Sequence, residues 1–144
     1  MALDLDVIRN KKATIERCIN RMDEEFEGKF ENLANYTKQD AIILNLQRAC
    51  EATIDLAMHV CAKTKLGIPQ KSSDAFLFLK EKGIISKELY STLSGMVGFR
   101  NIAVHDYQAL NIDILYAILE KHLDELIDFS NIILEIALSQ REVV

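Results

Sequence analysis

The sequence predicts an all-α protein, a bundle of about five helices that forms one domain over residues 1–144. Apolar residues recur at intervals of three, four and seven along most of the chain, which is the periodicity of amphipathic helices. The 144 residues include only one proline and five glycines, and 49% of them are apolar. No segment shows the strict apolar–polar alternation of a half-buried strand. A chain of this length can bury about two-thirds of its unfolded surface, which is enough for a single core.

The first predicted helix covers residues 4 to about 33 and presents one apolar stripe to the core. The stripe consists of Ile8, Ile15, Ile19, Met22, Phe26, Phe30 and Leu33. Gly28 weakens this helix locally, and residues 35–37 interrupt the pattern. Thr37, with Asp40 three residues later, resembles the capping signal at which a helix begins, so the second helix is expected to start there.

The second predicted helix, residues 38–65, is apolar around so much of its circumference that it should lie at the centre of the bundle. Its polar residues Gln47, Glu51, Asp55 and His59 recur every four positions and therefore share one face. This stripe is either a salt-bridged edge or an acidic wall that supports a basic functional group from a neighbouring helix. The sequence leaves both interpretations open.

A short third helix and a long last helix are also predicted. Ser72 or Ser73 is expected to cap the third helix, which runs through Lys82. The last helix covers residues 112–138, where apolar residues alternate in steps of four and three. His122 lies on this apolar stripe, so we interpret it as a packed, hydrogen-bonded histidine at the edge of the core.

The fourth predicted helix begins at Ser86 and carries small residues close together on its surface: Ser91, Ser94, Gly95 and Gly98. Each glycine inside a helix costs roughly 1 kcal/mol relative to alanine. Close approach of a ligand, or of a helix backbone from a symmetric partner, is expected to offset that cost.

Composition and charge exclude several classes of protein. The net charge is −5, and residues 101–144 hold two basic residues against eight acidic ones, so a nucleic-acid binder relying on bulk positive charge is excluded. The first residues are acidic, unlike a signal peptide, and no apolar run is long enough for a membrane helix. Cys18, Cys50 and Cys61 are expected to be buried thiols in a reducing compartment. We therefore expect a soluble cytoplasmic protein.

One stretch of the chain contains side chains that could catalyse a reaction. It covers residues 98–107 and includes Arg100, His105 and Tyr107. The chain has no phosphate-binding glycine loop, no G-x-S-x-G element and no recognisable metal-ligand spacing, so neither a metal nor a cofactor is predicted. Histidine can act as a base or an acid near neutral pH, and arginine holds a phosphate through a rigid fork of donors. This pair is sufficient to cleave RNA without a metal, by attack of the 2′-hydroxyl on the adjacent phosphorus.

Geometry restricts how Arg100 and His105 can form a site. On an ideal helix, residues five apart point about 140° away from one another. Either the helix distorts or ends near residues 103–105, or the site combines groups from two subunits across a two-fold axis. The small residues of the fourth helix favour the second arrangement, alone or together with the first.

The chain resembles the HepT-like branch of the HEPN superfamily in residues 95–107. There an arginine, Arg100, is followed by four residues that begin with Asn101, then by His105, one further residue and Tyr107. Residues 45–55 resemble the central helix of that family. Residues 67–69 and 73–76 resemble its connector and third helix.

The resemblance implies a helical bundle that forms a two-fold homodimer, with two Arg–His pairs facing one cleft. It implies a metal-independent endoribonuclease that is the toxin of a type VII-like toxin–antitoxin pair, with RNA as its substrate and no membrane association. The implied antitoxin is an MntA-like minimal nucleotidyltransferase, which neutralises the toxin by transferring AMP from ATP to Tyr107. ATP is then the partner's substrate and not a cofactor of this chain.

The resemblance also assigns roles to single residues. Arg100 would bind the phosphate and stabilise charge in the transition state, and His105 would be the general base or acid. Tyr107 would be the modification site and an RNA contact, and Asn101 would orient the loop or bind a phosphate oxygen. Glu51 and Asp55 are candidates for supporting this site from the second helix.

Two other functions remain open at this point. The chain can be a non-catalytic helical module that binds a nucleotide or a partner and works with a nucleotidyltransferase. It can also be a structural dimer in which Arg100 pairs with an acidic residue across the interface.

Overall fold

The computed structural model describes residues 2–143, without the side chains of Gln108 and residues 141–143. Within this range it contains six α-helices and two short 3₁₀ helices, and no strand. The elements are α1 (Leu5–Phe26), η1 (Phe30–Ala34), α2 (Tyr36–Thr64), α3 (Ser72–Glu81), α4 (Lys87–His105), η2 (Tyr107–Ala109), α5 (Ile112–Lys121) and α6 (Leu123–Val143). The all-α prediction is confirmed, with one more helix in this range than expected.

Helix α1 ends earlier than its apolar pattern predicts. Glu27 and Gly28 both adopt left-handed backbone conformations, with φ of 55° and 71°, and this terminates the helix after Phe26. The last predicted stripe position, Leu33, is nevertheless buried, because η1 returns it to the core. The N-terminus of α1 is capped by the Asp4 carboxylate, which accepts from the backbone N–H groups of residues 6 and 7.

Helix α2 is the centre of the bundle, as its sequence predicts. It packs against α1, α3, α4 and α6. Its N-terminal cap is Asn35, whose side-chain oxygen accepts from the backbone N–H of Lys38 at 3.0 Å, and not the predicted Thr37. Thirteen of its 29 residues are buried, including Asn45 and Thr53, whose side chains donate to carbonyl oxygens one turn earlier in the helix.

Helices α3 and α4 pack together against α2. The start of α3 is stabilised by the Asp74 carboxylate, which accepts from the backbone N–H groups of Gln70 and Lys71 at 3.0 and 3.2 Å, and not by the predicted serine cap. Helix α4 begins as predicted, because the Ser86 hydroxyl accepts from the Leu89 N–H at 3.0 Å. It then runs without interruption to His105.

The single last helix predicted for residues 112–138 is broken at His122. The imidazole Nδ1 lies 2.7 Å from a carboxylate oxygen of Glu125, and the chain resumes as α6 one residue later. The apolar stripe continues through this break, since Leu119 and Leu126 on either side of it are both buried. The periodicity therefore gave no sign of the interruption.

The apolar core runs the length of α2, and an edge-to-face contact between Phe76 and Phe129, with ring centroids 5.6 Å apart, lies within it. The cysteines Cys18, Cys50 and Cys61 are free and buried, as expected.

None of the helices in residues 2–143 has the length and apolar character needed to cross a membrane.

The N-terminal segment is tied to α2 by His59, whose Nε2 accepts from the backbone N–H of Asp4 at 3.0 Å. Burial, and then the neighbouring Lys63 ammonium, lower the pKa of this imidazole from 6.5. The unfolded chain therefore binds a proton at His59 more readily than the folded chain does. This contribution to stability is complete above pH 6.5 and is lost as the pH falls through the lowered pKa.

We expect the free energy of unfolding to decrease when the pH is lowered from 7 to 5, and to decrease less in His59→Gln. The glutamine oxygen can accept the same hydrogen bond but does not titrate. Urea denaturation at a series of pH values measures both curves, and their difference removes the contribution of the carboxylates. Parallel curves for the two proteins would contradict this role of His59.

Candidate functional site

The three residues singled out by the sequence lie where α4 ends and the chain turns into η2. Arg100 and His105 both belong to α4, and His105 is its last residue. Asp106 leaves the helical conformation, with φ −150° and ψ 73°, while its N–H still donates to the carbonyl oxygen of Ile102 at 2.7 Å. Tyr107 then begins η2. The helix does not distort before His105, so it keeps Arg100 and His105 on one continuous α-helix.

The Arg100 side chain is mostly buried, with 18% of it exposed, and it reaches toward both α2 and α3. One terminal nitrogen lies 3.8 Å from a carboxylate oxygen of Glu51, and the other donates to the Ser72 hydroxyl at 3.5 Å. Among the described residues, the buried Nε has no hydrogen-bond partner. Both contacts are long for charge-assisted or neutral hydrogen bonds, so the guanidinium is held loosely and keeps donors for another acceptor.

The acidic stripe of α2 divides between two neighbours. Glu51 faces Arg100 of α4, whereas the Asp55 carboxylate lies 2.8 Å from the Lys11 ammonium of α1. The structure therefore brings Glu51 to the Arg100 side chain and does not bring Asp55 there. At Glu51 the stripe fits the interpretation as an acidic wall that supports a basic group. At Asp55 it fits the interpretation as a salt-bridged edge.

Asn101, the other predicted support residue on α4, is exposed.

On the continuous helix α4, the five-residue spacing turns His105 about 140° away from Arg100. His105 continues an exposed stripe in which residues follow one another in steps of four, three, four and three: Ser91, Gly95, Gly98, Ile102 and His105. Residues with this spacing share one face of a helix. The imidazole therefore faces away from the bundle, while the guanidinium points into it toward α2 and α3. Helix spacing therefore separates the two groups within one chain.

The glycines of this stripe are not required by packing within the chain. A Cβ atom built on Gly95 or Gly98 would have no atom of the described residues within 4 Å. Beside Gly95, an apolar groove of about 380 Å³ separates α4 from α5 and ends at His122. No contact within the described part of this chain offsets the free-energy cost of two glycines inside a helix. An interaction with another molecule must therefore offset it.

Tyr107 is 40% exposed, and its hydroxyl contacts the N-terminal part of α2. The hydroxyl donates to the Asp40 carboxylate at 2.5 Å and lies 3.4 Å from the Gln39 side-chain oxygen. Burial, together with the hydrogen bond and the negative charge of Asp40, raises the pKa of Tyr107 to about 12. Sequence reasoning missed Asp40 as a site residue, because it interpreted this aspartate as part of a helix-start signal.

Other chemistries find little support in the geometry. In the described part of the chain, no three His, Cys, Asp or Glu side chains are grouped closely enough to hold a metal ion. Burial raises the pKa of the Cys50 thiol to about 12, which makes it a poor nucleophile at neutral pH.

Comparisons with known proteins show the family of this chain. The sequence model of the family described as Ribonuclease HepT-like matches residues 15–133. The chain is 46% identical over 128 residues to the mRNA nuclease HepT of Shewanella oneidensis, covering 89% of this chain and 96% of that protein. The structure of the tri-AMPylated Shewanella oneidensis HEPN toxin in complex with MNT antitoxin is similar with a TM-score of 0.84 and 46% identity, covering 89% of this chain and 96% of that one. A crystal structure of a toxin-antitoxin with AMP-PNP also matches, with a TM-score of 0.84 and 46% identity over 89% of this chain and 98% of that chain.

The helical bundle and the motif at the end of α4 thus define a protein of the HEPN class. The chain belongs to the HepT-like ribonuclease family. The predicted resemblance to the HepT-like family is confirmed by these matches, and so is the predicted enzyme class, a ribonuclease, at the level of the family.

Proposed function

We propose that this protein is a metal-independent endoribonuclease toxin whose active site combines Arg100 of one chain with His105 of a second copy. The observation that carries the proposal is the placement of the two residues on opposite sides of one continuous helix, in a chain of a ribonuclease family. A one-chain site would need both groups within reach of the same phosphate. A two-fold dimer supplies the missing group twice, once in each of two equivalent positions.

The exposed stripe of α4 supports such a dimer. It is lined by glycines with open space above them, which lets a second helix backbone approach closely. The apolar groove beside Gly95 adds surface that association would remove from water. Because His105 lies at the end of the stripe, the same contact would place it next to the second copy. The Arg100 guanidinium of that copy, which is held only by its long contacts to Glu51 and Ser72, would then turn toward it.

The chemistry assigned to these residues needs no metal. His105 removes the proton of a 2′-hydroxyl as it attacks the adjacent phosphorus, and Arg100 stabilises the charge that develops on the phosphate oxygens. Glu51 orients the guanidinium from α2, and Asn101 lies on α4 where it can contact a phosphate oxygen. Asp55 supports the same helix through its pair with Lys11 and acts on the site only through α2.

Tyr107 is proposed as the site at which the toxin is neutralised. A nucleotidyltransferase partner transfers AMP from ATP to its hydroxyl, as the tri-AMPylated state of the Shewanella toxin with MNT antitoxin supports. The tyrosine is exposed enough to be reached, and it lies two residues from His105. An added phosphate there would compete with RNA for the cationic groups and repel the RNA backbone.

A second function is favoured by one observation, the contact of Arg100 with both Glu51 and Ser72. In that case Arg100 ties α4 to α2 and α3, and the chain is a non-catalytic partner-binding module of a nucleotidyltransferase. The two functions differ in whether the purified protein cleaves RNA.

Purified protein is expected to cleave RNA in the presence of EDTA. His105→Ala and Arg100→Ala are each expected to lower the cleavage rate by about 100-fold or more, because each removes a group that acts in the transition state. Cleavage of a labelled RNA under single-turnover conditions measures this. Val104→Ala and Arg9→Ala, which truncate exposed side chains outside the proposed site, serve as matched controls. Thermal unfolding of Arg100→Ala separates lost chemistry from lost packing. Undiminished cleavage by both site variants would contradict the proposal.

Incubation with the cognate nucleotidyltransferase and ATP is expected to add the mass of one or more AMP groups and to abolish RNA cleavage. Intact-mass spectrometry and peptide mapping locate the group at Tyr107. Tyr107→Phe lacks the hydroxyl that receives AMP, whereas Tyr36→Phe removes an exposed tyrosine hydroxyl at the start of α2 and should be labelled like the wild type. Full labelling of Tyr107→Phe would remove Tyr107 from the mechanism.

A further inference from the structure

The hydroxyl of Tyr107 is not free in this structure, although it is the atom proposed to receive AMP. It donates to the Asp40 carboxylate, and the Gln39 side-chain oxygen lies 3.4 Å from it. Asp40 and Gln39 lie in the first turns of α2, 67 and 68 residues before Tyr107 in the sequence. When an adenylyl-transfer partner binds the chain, the reactive oxygen of Tyr107 is therefore already in contact with a carboxylate of its own chain.

We propose that Asp40 is the general base for adenylylation of Tyr107, so that the target chain and not only the transferase supplies catalytic chemistry. This inference rests on the proposed function. Asp40 is then a catalytic residue of the neutralising reaction, since it touches the reacting oxygen, and it takes no part in RNA cleavage.

The reaction balances with ATP as the only co-substrate. The Tyr107 Oη attacks the α-phosphorus of ATP, a new oxygen–phosphorus bond forms, and the bond between the α-phosphorus and the bridging oxygen of the β-phosphate breaks. Pyrophosphate leaves with that electron pair. The phenolic proton passes to the Asp40 carboxylate and from there to water, so no oxidant, reductant or further reactant is consumed.

The environment of Tyr107 makes such a base necessary. Burial and the adjacent carboxylate raise its pKa to about 12, so at neutral pH only about one molecule in 10⁵ carries a phenolate. Attack through that minor population would be slow. A base already hydrogen-bonded to the hydroxyl removes the proton while the new bond forms, when the acidity of the phenol rises steeply.

The exposure of both partners fits the same role. Asp40 is exposed and Tyr107 is 40% exposed, so the contact lies at the surface, where a transferase can deliver ATP. A hydroxyl hydrogen-bonded to a fixed helix is also held in one orientation, which reduces the entropy lost in reaching the reactive geometry. After transfer, the modified oxygen no longer has a proton to donate to Asp40.

The test is the rate of AMP incorporation into the full chain by the cognate nucleotidyltransferase, measured for wild type, Asp40→Asn and Asp40→Glu. Asparagine keeps the size and the hydrogen bond but cannot take the proton. At pH 7 we expect Asp40→Asn to lower kcat by roughly 100-fold or more, with KM for the target chain little changed. Asp40→Glu, which retains a carboxylate, should keep more activity than Asp40→Asn. Asp128→Asn, the same change at an exposed position of α6, is the matched control.

A pH profile separates a base from a structural contact. As the pH rises, the Asp40→Asn rate should climb about tenfold per unit, because hydroxide and then the phenolate replace the missing base, and its deficit should narrow. A purely structural role would leave the deficit constant with pH. A constant deficit, an unchanged kcat, or faster labelling of Asp40→Asn at every pH would each overturn the inference. Wild-type chain that acquires no AMP on Tyr107 would instead show that the proposed neutralisation itself is wrong.

Discussion

The continuity of α4 from Lys87 to His105 is the constraint on which the rest of this site depends. Because the helix does not bend, the five-residue spacing turns Arg100 and His105 to different sides, about 140° apart on an ideal helix. Arg100 then contacts α2 and α3, and His105 joins the exposed stripe with the two glycines. A helix that unwound after Arg100 could have closed the site within one chain. The intact helix supports the proposal that a second copy supplies the other group.

The same helix end also carries the proposed control of the enzyme. Asp106 stops α4 and starts η2, which presents the Tyr107 hydroxyl to Asp40 on α2. The proposed catalytic residue His105 and the proposed regulatory residue Tyr107 therefore lie two residues apart and depend on the same packing of α4 against α2. A negatively charged group on Tyr107 would act on the RNA site through distance and charge, and no large conformational change is required.

Much of the fold could be predicted from the sequence, because apolar periodicity and the Ser86 cap act locally. The acidic stripe of α2 also suggested support for a basic group, and Glu51 lies beside Arg100. The break at His122 could not be predicted, since the apolar stripe runs through it unchanged. The contact of Tyr107 with Asp40 joins residues 67 apart through tertiary packing, and no periodic signal links them. The pairing of Asp55 with Lys11 could not be predicted either, because neighbouring positions of one helical stripe face different helices.

Each nuclease site is proposed to take Arg100 from one chain and His105 from the other. Co-expression of Arg100→Ala and His105→Ala chains with different affinity tags allows the mixed dimer to be purified and its RNA cleavage measured. In a mixed dimer one site loses both groups and the other keeps both, so we expect about half of the wild-type activity, although each variant alone is inactive. A mixed dimer with no more activity than the two parent variants would contradict the shared site.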